Sequence, residues 1–204
     1  MKKSLLLMVI LFTGTCSPML AQVYVFSGIH QSYVRNEVVV GESPIYSWHV
    51  GGGVNLYPTL DWKKTSINAE AAFIEKGYDQ HLGNQQFEFR FRYITGQATI
   101  SYEALPFLSL KGGVNLALLF DTNKEKGTST YQLFDFGLVG GLGFLENKRF
   151  GFYTRVVYGL SPMLKYYNID AMGNFNGHIH DLKNTCFMVG LRINIYDKKI
   201  SLRN

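Results

Sequence analysis

The chain is short of cysteine, of charge and of proline. Two cysteines in 204 residues exclude a disulfide scaffold, and only Cys186 lies beyond the first segment. Charged residues are 17% of the chain, below the roughly 25% usual for soluble domains. This deficit accompanies 47% apolar residues, so the chain is not an intrinsically disordered tract. No stretch past residue 21 approaches the ~18 consecutive apolar residues of a transmembrane helix. No Lys/Arg cluster interleaved with aromatics is present, which argues against nucleic acid as a partner. What is abundant is glycine, at 21 residues, and aromatics, at 15%. Together these features are the composition of a β-protein.

Residues 1–21 read as a secretory signal. Lys2 and Lys3 form a basic start, Leu5 to Phe12 an apolar core, and Ala21 a small residue at the cleavage point. Thr13-Gly14-Thr15-Cys16 fits a lipoprotein acylation motif poorly. Cleavage removes Lys2 and Lys3, which lowers the net charge of +5 to +3. Cys186 then has no partner within its own chain.

The rest of the chain alternates with period two. Leu108, Leu110, Gly112, Val114, Leu116, Leu118 and Phe120 share one face, against Ser109, Lys111, Gly113, Asn115, Ala117 and Leu119. Phe134, Phe136, Leu138, Gly140, Leu142 and Phe144 form a second such face, and Phe187, Val189, Leu191, Ile193 and Ile195 a third. Such alternation predicts long strands with one apolar face. Eight runs are found, near 23–34, 45–57, 65–78, 87–103, 107–121, 131–145, 150–163 and 185–196. They meet or exceed the roughly 9–11 tilted residues that cross a bilayer.

Long connections (35–44, 79–86, 122–130, 164–184) alternate with short ones (58–64, 104–106, 146–149). The expected fold is all-β: an eight-stranded antiparallel up-and-down transmembrane barrel over 22–196, with short periplasmic turns, longer extracellular loops and a basic periplasmic tail at 197–204. The second face is small and polar but sparsely charged. This favours lipid outside the apolar face and a narrow lumen inside the other. Tyr46, Trp48, Phe120, Phe134, Phe144, Phe150, Phe152 and Tyr158 are expected in two aromatic girdles.

Two runs resist one register. Continuing the apolar face of Ile94 upstream puts Glu88, Arg90 and Arg92 on it, which calls for projection beyond the bilayer or a bulge. In the first run Val23/Val25 compete with Tyr24/Phe26 for the outward face.

Several segments together resemble the PorT-type outer-membrane β-barrel proteins of Gram-negative bacteria. These are the Gly-rich second strand, Ile67–Gly77 (INAEAAFIEKG), Tyr93–Tyr102 followed by Leu105–Gly113 (LPFLSLKGG), Asp135–Gly143 (DFGLVGGLG) and Arg155–Gly159. The resemblance spans essentially the whole chain after the signal and rests on architecture, not on catalytic motifs. It implies an outer-membrane location and a helper role in a secretion or envelope complex. The partners it implies are outer-membrane lipid, the barrel-assembly machinery during insertion, and an envelope protein met through the loops.

Inward positions by alternation include Glu70, Lys111, Asp135, Arg155 and Arg192. Buried charges are costly unless paired, so a paired ionic plug is expected in preference to an ion path. His49, Tyr153, Asn55, Asn115 and Asn194 would extend it. His178 and His180 with Asp181 form a weak metal-like pattern that lacks a third ligand. Ser47 and His49 lack an orienting acid, and Gly51-Gly52-Gly53 opens no helix, so neither reads as chemistry. The expectation is a non-enzymatic barrel without cofactor or metal. Two alternatives stay open: a lipid-modifying enzyme on the same barrel, and a soluble secreted ligand-binding barrel.

Overall fold

The computed structural model describes residues 20–35, 42–57, 64–83, 85–123, 131–169 and 175–197, of which 20, 82, 164–181 and 196–197 are described by backbone alone. Most of the 1–21 signal segment and of the 197–204 tail lies outside these residues. Eight strands follow in chain order: β1 (Leu20–Arg35), β2 (Glu42–Tyr57), β3 (Thr65–Leu82), β4 (Gln85–Leu105), β5 (Leu108–Thr122), β6 (Phe134–Phe144), β7 (Phe150–Ile169) and β8 (Phe175–Asp197). Each pairs antiparallel with its sequence neighbour, and β8 closes on β1 from Gln22↔Asp197 to Arg35↔Lys183. Closure leaves no edge at the level shared by all strands, so backbone donors and acceptors are paired within the wall, as hydrocarbon requires.

The sidedness follows the alternation. Leu116 and Leu138 are 50% and 49% exposed, whereas Asn115 between the β5 apolar positions is 4% exposed. Tyr46, Trp48, Phe120, Phe134, Phe150, Phe152 and Tyr158 all stand exposed on the outer wall, while Phe144 is half-buried. In β1 the aromatics turn inward: Val23, Val25 and Ile29 face out, and Tyr24 and Phe26 are buried. Glycines on the facing strand make room for them. A Cβ at Gly51 would lie 2.6 Å from Phe26, and one at Gly53 would lie 2.8 Å from Tyr24. The inner-face glycines of β2 are thus sockets for β1 rings.

Two of the expected long loops are strand. β3 and β4 pair up to Leu82↔Gln85, so 79–82 and 85–86 are paired strand, with Gly83 at φ +59° following Leu82. β7 and β8 pair up to Ile169↔Phe175, so most of 164–184 is also paired. These tips have left the zone where one face must be apolar, so they lack the alternation that marks strands inside lipid. The β7–β8 register shifts between Tyr158 and Pro162, where proline has no N–H to give the ladder.

β4 keeps one register against β3 throughout, with Phe91 and Tyr93 inside and Arg92 and Ile94 outside. No bulge flips it against β3. The charged stretch projects past the apolar belt, and its charges meet opposite charges there. Arg92 reaches Glu75 at 3.2 Å and Asp121 at 2.8 Å, and Arg90 stands within 3.9 Å of Glu75, Asp79 and Glu88.

Candidate functional site: the filled lumen

The inward side chains stack in three layers between the end carrying the termini and the opposite, hairpin end. Nearest the termini sits Glu146, on the turn between β6 and β7. Its carboxylate folds back into the barrel over Gly143, where any Cβ would collide with it. Lys111 Nζ lies 2.5 Å from Glu146 Oε1, and Arg192 Nη1 lies 3.3 Å from the same oxygen. Arg192 also donates to Gln22 Oε1 (2.9 Å) and Asn194 Oδ1 (2.9 Å), and its guanidinium lies 3.5 Å from the Tyr24 ring centre. Asn55 bridges Gln22 and Arg192, and Asn68 donates to Thr99. Each side-chain nitrogen of Lys111 and Arg192 has an acceptor within 3.3 Å, which is the condition for keeping ions in a dry interior.

The middle layer is built on Glu70 of β3. Tyr24 donates to Oε1 at 2.7 Å and Arg155 of β7 to Oε2 at 2.5 Å. The Arg155 guanidinium lies over Tyr153 (4.3 Å) and Phe26 (5.2 Å), a cation–π contact on each. A chain of hydrogen bonds runs from here along the wall. His30 Nε2 donates to the Glu75 carbonyl at 2.7 Å, so its Nδ1 is the acceptor. His49 Nδ1 then donates to it at 3.4 Å, and His49 Nε2 accepts from the Tyr153 hydroxyl at 2.5 Å. One pair of tautomers, both neutral, satisfies every member.

In the third layer Lys76 of β3 meets Asp135 of β6 at 2.7 Å, and Asn184 of β8 donates to the same carboxylate oxygen at 3.2 Å. Lys76 lies 5.0 Å from the Tyr93 ring centre. Apolar side chains pack on both sides of this pair: Ile74, Val139, Val157 and Met188 between it and the Glu70–Arg155 layer, and Tyr78, Met163 and Leu182 toward the hairpin end. The expected inward face was small and polar, and these large apolar side chains interrupt it on either side of the third layer. Cavities of about 20 Å³ remain, one below Glu146 and one between Glu70 and Lys76. Each has room for about one water.

Glu70, Lys111, Asp135, Arg155 and Arg192 therefore all lie inside the barrel, in three separate ion-paired layers. Two further charges belong with them. Lys76 shares the inward parity of Glu70, six residues on, so counting further along β3 would have found it. Glu146 lies in a turn, where alternation carries no signal. Ser47 and His49 are not brought together as a pair: Ser47 donates to Glu75 Oε1 at 3.4 Å, while both His49 nitrogens are taken by His30 and Tyr153. The side chains of His178, His180 and Asp181 lie outside the described ones.

Residues 19–165 match the family model described as outer membrane protein beta-barrel domain. The chain belongs to that family. It is a small outer-membrane β-barrel protein, and the exposed apolar girdle is its lipid-facing surface. Solved structures share the fold at low identity. Neisserial surface protein A is 12% identical, with 86% of this chain and 99% of that one aligned at a TM-score of 0.54. OprG from Pseudomonas aeruginosa is 13% identical, with coverage of 87% and 97% and a TM-score of 0.52. AlkL, solved in lipid bilayers, is 9% identical, with coverage of 91% and 94% and a TM-score of 0.50. No curated protein matches the chain by sequence.

Proposed function

We propose that this outer-membrane barrel is a non-conducting envelope protein that acts through its hairpin end. Its lumen is closed by an ionic plug of Glu70, Lys111, Asp135, Arg155 and Arg192, joined by Lys76 and Glu146, and by the apolar side chains packed on both sides of the Lys76–Asp135 pair. The observation that carries this reading is that each buried acid is held by at least one buried cation, in three stacked layers. By the general rule for such barrels, the termini face the periplasm and the long hairpins the exterior. Purified chain reconstituted in a planar bilayer should give no steady conductance. Stable open channels of the unmodified protein would overturn the plug.

The PorT-type resemblance supports an accessory role in a secretion or envelope complex. The β3–β4 hairpin fits such a role. It continues to Leu82↔Gln85, while β4 stops pairing with β5 at Phe91↔Thr122. Phe87 is exposed on it, and Tyr78 and Phe89 stack at 4.7 Å. A photo-crosslinking residue at position 87 in intact cells should capture an envelope protein. Crosslinks to lipid alone would remove the helper reading and leave the plug standing.

A further inference from the structure

Where the outer wall leaves the apolar belt, its charges are distributed unevenly. On the β3–β5 side, Arg90 and Arg92 are matched by Glu75, Asp79, Glu88 and Asp121. On the β1–β8 side, Arg35 and Lys183 stand directly opposite each other in the ladder. Their neighbours Val34, Leu182 and Asn184 are buried in the lumen, so both point outward. Neither makes an ion pair among the described residues. Like charges placed directly across a strand pair are destabilising. Arg35 is nevertheless held firmly: it donates to Thr185 Oγ1 (3.1 Å), to the Gly159 carbonyl (2.6 Å) and to the Tyr158 hydroxyl, and it lies 3.7 Å over the Tyr158 ring. Among the described residues, one N–H on each terminal nitrogen has no acceptor.

We infer that Arg35 and Lys183 form a binding site for the headgroup of a net-anionic, phosphate-bearing membrane lipid. Their position argues for a lipid over any free anion. Tyr33, Tyr158, Leu160 and Phe187 are exposed on the outer wall close to the pair, where acyl chains lie. Tyrosines mark the headgroup level of such walls. A guanidinium fixed in place and an ammonium on a free stem together suit a phosphate: the first supplies a planar fork, the second a point charge that can swing to meet it. An anion between them also removes the cross-strand repulsion. This inference rests on the membrane reading of the outer wall.

The test uses the full barrel inserted in phosphatidylcholine vesicles, with spin-labelled phosphatidylglycerol and spin-labelled phosphatidylcholine compared for association with the protein. The unmodified chain should select phosphatidylglycerol. Lys183→Gln, which disturbs no partner among the described residues, should lower that selectivity about fivefold, and Arg35→Gln/Lys183→Gln about 25-fold. Unchanged selectivity in Lys183→Gln overturns the site. So does full displacement of the labelled lipid by inorganic phosphate, which would make it a small-anion site. A chain that inserts but shows no preference for phosphatidylglycerol overturns this inference alone. A chain that does not insert overturns the membrane reading and this inference with it.

Discussion

Replacing Glu146 with Gln removes one negative charge from a layer that holds two positive ones. The Glu146 side chain is 6% exposed, and those of Lys111 and Arg192 are 7% and 2% exposed. Both cations rely on the same oxygen, Oε1, at 2.5 Å and 3.3 Å. The turn itself stays anchored in the variant, because Gln22 and Asn194 bind the backbone carbonyl of residue 146 and not its side chain. The substitution therefore isolates the charge. Breaking a buried ion pair from one side costs about 3–5 kcal/mol, since the abandoned ion can neither pair nor hydrate. Folding equilibrium in phospholipid vesicles against urea, read from the gel mobility of unheated samples, should shift by that amount at unchanged m-value. The double variant Glu146→Gln/Lys111→Met removes one of the stranded cations and should recover a large part of the loss. A single variant within about 1 kcal/mol of the parent refutes the reasoning. So does a double variant that loses the full sum of the two singles, because residues sharing a pair must couple.

Two further substitutions probe the wall and its sockets. Leu116→Arg places a charge on the exposed side of β5, where a water-facing position would tolerate it. Facing hydrocarbon at mid-depth it should cost about 2–4 kcal/mol in the same vesicle assay, and a neutral result would move the apolar face out of the membrane. Gly51→Val puts side-chain atoms against Phe26 (2.6 Å from the Cβ), against Ala72 (2.7 Å) and against the Ala71 carbonyl. Overpacking of this kind should cost about 1–3 kcal/mol, with part of it returned by adding Phe26→Ala. Full stability of Gly51→Val alone would mean that the inner ring positions are not fixed.

The wall was legible because lipid enforces a rule at every second residue. Val114, Leu116 and Leu138 could be assigned outward without knowing what surrounds them, since only closure with apolar side chains outward satisfies both backbone and bilayer. The rule ends where the lipid ends. Asp79 to Leu82 and the segment around His178 are paired strand, yet neither face of a hairpin in water has to be apolar, so both segments read as loops. In β1 the rule holds but gives two answers, because Tyr24 and Phe26 are as apolar as Val23 and Val25. The choice is made by β2, whose Gly51 and Gly53 leave space for two rings inside. That information lies 25 and 29 residues from the side chains it decides, at positions joined by the Phe26↔Gly51 and Tyr24↔Gly53 pairings.

The lumen was legible in kind and not in arrangement. Period two told which charges point inward, but not which charge meets which, because partners come from different strands at heights set by the barrel's stagger. Glu70 of β3 meets Arg155 of β7, and Lys76 of the same strand meets Asp135 of β6. The five charges read from alternation leave Lys111 and Arg192 without an acid of their own, since Glu70 and Asp135 are already taken. That deficit required an acid from outside the strands, and Glu146 supplies it from a turn. The apolar side chains of the lumen follow a different logic. Ile74 stands one inward position from Lys76 and two from Glu70, Val157 one from Arg155, and Val139 two from Asp135, so with Met188 they pack the space between the middle and third ion-paired layers. Toward the hairpin end Tyr78, Met163 and Leu182 continue that packing past Lys76 and Asp135. The Lys76–Asp135 pair is thus enclosed by apolar side chains on both sides, where the low local dielectric strengthens the attraction between two well-placed ions and raises the cost of leaving either one unpaired.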